Sequence, residues 1–151
     1  MKNKPLSISK GNKVWDAYAN YLDNIDWDFF GTFTTGYEMS LNSARRSMER
    51  FADRNKKENG GALMFWVAEP YEVKDGYHTH ALIKMNDRFL FPDGDNKLCF
   101  EVLKETWQIV SKGHGNKYNR VHLERYQKGK GANYYVGKYV LKKRCDYDFS
   151  I

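Results

Sequence analysis

Cysteine is scarce in this sequence: Cys99 and Cys145 are the only two among 151 residues, and they form no spaced pair. That argues against a disulfide framework and a cysteine-built zinc site, and makes a reducing, cytoplasmic setting the expectation. Long apolar runs are missing as well. The longest, Ala62 to Ala68, stops at Glu69, far short of the roughly 20 residues of a membrane-spanning helix, so no membrane partner is expected. The opening MKNKPLSISK has no apolar segment behind its charges, which reads against a secretory signal. No G-x-x-x-x-G-K-[ST] loop occurs, and Gly129-Lys130-Gly131 is too short a match, so a P-loop helicase is excluded. Internal repeats and low-complexity tracts are also absent. What is present, 41% hydrophobic and 16% aromatic residues, is too apolar for a disordered chain. The length suits a single domain over 1–151, with 1–13 a polar, flexible arm.

Charge is unevenly placed. Lys104 to Arg144 holds 11 Lys/Arg against 2 Asp/Glu, whereas the remainder holds 14 against 17. A basic final third on a mildly acidic body suits a polyanion such as nucleic acid, and equally a solvated surface kept for solubility. Along the chain, Val14, Trp15, Tyr18, Leu22 and Ile25 recur at helical spacing. Trp27 to Thr35 is aromatic and Thr-rich, a strand pattern. Ser40 can cap a helix carrying Leu41, Ala44, Met48, Phe51 and Ala52, which Asn59-Gly60-Gly61 stops. Ala62–Glu69 and Tyr77–Met85 read as a hairpin around a polar connection, Pro70 to Gly76. A helix follows on Leu98, Val102, Leu103, Trp107 and Val110, then an alternating strand from Tyr118 to Tyr126, then a helix from Ala132 to Lys143. Trp15, Trp27, Trp66 and Trp107 each lie on an apolar pattern and are expected in the core. The order α-β-α-β-β-α-β-α predicts an α+β fold, a central sheet with helices packed on it.

The hairpin carries the strongest chemistry. His78 and His80 are one residue apart. On a strand both imidazoles then share a face, about 7 Å apart along the backbone. Glu69 ends the neighbouring strand, and hairpin pairing can bring its carboxylate beside them; Glu72, in the loop, is the alternative. Two imidazoles and a carboxylate with open positions suit a divalent ion that also holds a substrate oxygen. The competing view is two solvated polar residues on an exposed strand.

In the last predicted helix Tyr135, Lys138 and Tyr139 fall at i, i+3 and i+4 and share one face. A phenol with a reference pKa near 10 attacks only when its proton is accepted or the charge at the reacting centre is neutralised. The same spacing also fits aromatic core residues beneath a basic outer face.

Together these motifs resemble the HUH endonucleases, the histidine–hydrophobic–histidine superfamily of rolling-circle replication initiators. Phe30-Gly31-Thr32-Phe33-Thr34-Thr35 resembles the first motif, Glu69 with His78-Thr79-His80-Ala81-Leu82-Ile83 the metal motif, and Tyr135-Val136-Gly137-Lys138-Tyr139 the Y-x-x-K nucleophile motif. The departure is Thr79, where the family carries an apolar residue; its hydroxyl needs a partner if buried.

The resemblance implies an RRM-like HUH endonuclease fold, a central antiparallel sheet of about five strands flanked by helices. It implies nicking and joining of single-stranded DNA at an origin hairpin or nick site, with Glu69, His78 and His80 holding Mg²⁺ or Mn²⁺. Tyr135 would be the nucleophile, Lys138 its helper at the phosphate and Tyr139 a second tyrosine. Thr34, Thr35, Arg120, Arg125, Lys128, Lys130, Lys142 and Lys143 would contact DNA. Helicase and polymerase would be separate proteins, in a bacterial, plasmid or phage context. A small HUH transposase and a non-catalytic single-strand-binding module are the competing expectations.

Overall fold

The computed structural model describes residues 13–86, 97–112, 117–129, 131 and 145–150. Their elements run α1 (Lys13–Asp23), β1 (Phe29–Thr34), α2 (Leu41–Glu58), β2 (Gly61–Pro70), β3 (Tyr77–Met85), α3 (Lys97–Val110), β4 (Arg120–Arg125) and β5 (Asp146–Ser150). The fold is α+β: the strands form one open sheet in the order β4-β1-β3-β2-β5, and every adjacent pair is antiparallel. No helix among the described residues is long and apolar enough to cross a membrane.

Period-2 alternation gives the sheet two different faces. Phe29, Phe33, Trp66, Ala68, Ala81, Ile83, Val121 and Leu123 point toward α2 and α3 and build the larger core with Met48, Phe51 and Trp107. Phe33, Phe51 and Trp107 meet edge to face, with centroids 5.0 to 6.2 Å apart, the arrangement that ring quadrupoles favour. Trp107 also donates its indole N–H to the Thr34 carbonyl at 2.9 Å, fixing α3 to the end of β1. Gly31 makes room here, because a Cβ would lie 3.1 Å from both the Leu123 side chain and the Phe33 ring. The opposite face carries a smaller cluster of Leu22, Trp27, Phe30, Phe65, Val67 and Leu82. Trp27, Trp66 and Trp107 are buried as their patterns predicted; the side chain of Trp15 lies outside the described residues.

Helix α2 begins where expected: the Ser40 hydroxyl accepts from the Ser43 N–H at 3.1 Å, and Asn59 closes the far end. Strand β5 was not anticipated. Its Tyr147 and Phe149 pack on the smaller cluster, while Asp146 and Asp148 face α2 and hold Arg45. The Arg45 guanidinium grips Asp146 with two hydrogen bonds of 2.6 and 2.7 Å, reaches Asp148 at 3.1 Å and lies over the Trp66 ring at 5.2 Å. This fork secures an edge strand to a helix 101 residues earlier in the chain. The predicted helix from Ala132 to Lys143 lies outside the described residues.

The Arg45 hydrogen bond holds the Asp146 carboxyl below its usual value, against an opposing effect of burial. A carboxyl lowered in the folded state stabilises the fold above its unfolded pKa of about 3.9, and that contribution disappears as pH falls through the folded value. Asp146→Asn is therefore expected to lower the thermal midpoint at neutral pH and to converge with the parent as pH falls through the lowered titration of the Asp146 carboxyl. Thermal melts across pH check this; a difference that does not change with pH would contradict it.

Candidate metal centre

The β2–β3 register sets Glu69 directly opposite His78 and Val67 opposite His80. All three polar side chains lie on the sheet face away from α2 and α3, at the end of the sheet where β2 finishes and β3 starts. His78 Nε2 and His80 Nε2 each lie 2.9 Å from the same oxygen, Glu69 Oε1. The two rings are nearly perpendicular, with centroids 4.9 Å apart. Glu69 is 9% exposed and His80 5%, so the carboxylate is held in a poorly solvated place where it needs compensating partners. Donor atoms of the three residues lie within 4.8 Å of one another, close enough to share one cation.

The neighbouring groups differ between the two histidines. His80 Nδ1 is 3.1 Å from the Thr32 hydroxyl on β1, where the register places Thr32 beside it, and its ring lies parallel to Phe30 at 6.0 Å. A ligating imidazole ordinarily uses its second nitrogen in such a bond, which sets tautomer and ring direction. His78 Nδ1 is buried with no hydrogen-bond partner; its ring is stacked instead on Tyr71, with centroids 4.4 Å apart and planes 24° apart. Burial raises the Tyr71 phenol above its usual pKa.

Thr79, between the two histidines, points the other way. It is fully buried against α2, and its hydroxyl lies 3.1 Å from Met48 Sδ. The odd residue of the motif thus has a partner and leaves the ligand set untouched. Glu72, the alternative carboxylate, is exposed in the loop; Glu69 is the one the fold brings to the histidines.

The predicted nucleic-acid residues fall in different places. Thr34 is partly buried, its hydroxyl 3.5 and 3.4 Å from the Tyr118 and Arg120 carbonyls. Thr35 is buried and donates to the Tyr37 carbonyl at 2.6 Å. Arg120 opposes Thr34 on β4 and shares the sheet face of the histidines. Arg125, in step with buried Val121 and Leu123, projects to the helical side. Lys128 is exposed in a turn after β4. Tyr135, Lys138 and Tyr139, together with Lys130, Lys142 and Lys143, lie outside the described residues. Sequence reasoning missed Thr32 and Tyr71. Thr32 becomes visible only once the β1–β3 register is known, and Tyr71 only once the loop is seen to fold back over His78.

A shared cation would stabilise the folded chain by mass action, by about 2.7 kcal/mol at a free concentration 100-fold above Kd. Mn²⁺ is accordingly expected to raise the thermal midpoint of the parent protein and not that of Glu69→Ala; an equal rise in both would place the ion elsewhere. Comparison of the chain with protein-family models, with curated proteins and with solved structures returns no match.

Proposed function

We propose that this chain nicks and joins single-stranded DNA in a metal-dependent reaction of the HUH type, as used to start rolling-circle replication. The observation that carries the reading is the convergence of Glu69, His78 and His80 within 4.8 Å on a sheet face that the two longer helices leave free. The sequence adds Tyr135, Lys138 and Tyr139 at one-face helical spacing and a basic final third.

In this reading Glu69, His78 and His80 hold Mg²⁺ or Mn²⁺, and two imidazoles let Mn²⁺ support the reaction as well as Mg²⁺. The bound ion would act as a Lewis acid on the scissile phosphate. The phenolic oxygen of Tyr135 forms a bond to phosphorus and its proton passes to solvent. The bond from phosphorus to the 3′ oxygen breaks, and that oxygen takes up a proton. The products are a 5′-phosphotyrosine and a free 3′-OH, which can prime synthesis or reverse the step. Lys138 balances phosphate charge through its ammonium group, and Tyr139 is available for a second transfer. Arg120, on the same sheet face as the histidines, together with Lys128, Lys130, Lys142 and Lys143, binds the DNA backbone, so affinity falls steeply with salt. Such an enzyme works in a cytoplasm of bacterial, plasmid or phage context, beside a separate helicase and polymerase.

Incubation with a pool of single-stranded oligonucleotides and Mn²⁺, resolved on a denaturing gel, is expected to give a covalent protein–DNA adduct that Tyr135→Phe abolishes and His78→Ala prevents. Salt-sensitive binding with no adduct would replace this reading with a binding module. Loss of the adduct in Tyr139→Phe but not in Tyr135→Phe would move the nucleophile.

A further inference from the structure

We propose that Tyr71 is a positioning residue of the metal centre, holding the His78 imidazole by ring stacking in the role that a hydrogen bond fills for His80. The inference rests on the metal reading of Glu69, His78 and His80. It starts from the difference between the two histidines. Thr32 stands 3.1 Å from the second nitrogen of His80, whereas the second nitrogen of His78 is buried and has no partner. An imidazole tied through one nitrogen alone, by the 2.9 Å contact of Nε2 with Glu69, could still turn about its χ2 and carry that donor away from Glu69. What faces the His78 ring is the Tyr71 ring, 4.4 Å away and inclined by 24°.

Tyr71 is itself held firmly enough to serve. Its N–H donates to the Gly76 carbonyl at 3.0 Å, closing the neck of the loop, and Tyr77 N–H donates to the Met39 carbonyl at 2.9 Å. Gly76 has φ +99°, and a Cβ there would sit 3.0 Å from the Glu38 side chain and 3.3 Å from Met39 N. The neck therefore needs glycine for both its backbone angle and its clearance. The Lys74 ammonium lies 4.3 Å from the centroid of the Tyr71 ring, within range of a cation–π contact. Tyr71 thus contacts both the exposed Lys74 and the His78 ring. Both contacts use the tyrosine ring and not its hydroxyl.

Two measurements test this. In the metal-free parent protein, the His78 ring protons are expected upfield of their random-coil positions in NMR spectra, as the ring current of a stacked phenol requires; unshifted protons would overturn the proposal without any variant having to fold. In calorimetric titrations with MnCl₂, Tyr71→Ala is expected to weaken binding about threefold to tenfold, the scale of one aromatic pair, whereas Tyr71→Phe stays within about twofold of the parent. Parent-like affinity in Tyr71→Ala, or equal weakening in both variants, would overturn the positioning role while leaving the metal centre standing. A parent protein that takes up no Mn²⁺ would remove the metal reading and this inference with it.

Discussion

The candidate metal centre depends on the pairing register of two adjacent strands. Glu69 stands opposite His78 because β2 and β3 pair Pro70 with Tyr77 and continue in step through Val67 and His80. Side chains alternate across a sheet, so a slip of one residue would turn both imidazoles into the helical core and bring Thr79 out in their place. The register is protected by what lies on either side of it. Trp66, Ala68, Ala81 and Ile83 are buried under α2 and α3, and Phe65, Val67 and Leu82 are buried on the other face. A slip would disturb both clusters at once.

The sheet divides labour between its faces. One is sealed by two helices and a cluster of large aromatics, which makes it a rigid base. Among the described residues the other carries a smaller apolar cluster, and beside it two imidazoles and a carboxylate meet at a single oxygen. A buried carboxylate with two convergent donors is a poor device for stability alone, since apolar residues of similar size would fill the place at no desolvation cost. Its presence beside the Thr32 contact and the Tyr71 ring suits a site that could hold a metal ion on pre-oriented side chains.

Much of this was legible in the sequence. Capping by Ser40, the Asn59-Gly60-Gly61 stop and the i, i+2 spacing of His78 and His80 are local signals, and each gave an element or a face that the structure contains. The central sheet followed from its aromatic and β-branched strands. Strand β5 was not legible: Asp146, Tyr147, Asp148, Phe149 and Ser150 alternate correctly, but five residues with three polar positions look like a tail until Arg45 is known to hold the carboxylates. Arg125 illustrates the same limit. Charge groups it with Arg120 as a DNA contact without saying which way either points, and strand alternation puts the two on opposite faces. The surroundings of the histidines were hidden for a related reason, since Thr32 depends on a long-range register and Tyr71 on the path of a loop, neither of which local periodicity encodes.

The most direct test of the metal centre is anomalous diffraction from crystals of the protein soaked in MnCl₂. One strong manganese peak is expected at direct bonding distance from Glu69, His78 and His80 together. A peak bound elsewhere, or no peak with the Glu69–histidine contacts intact, would contradict it.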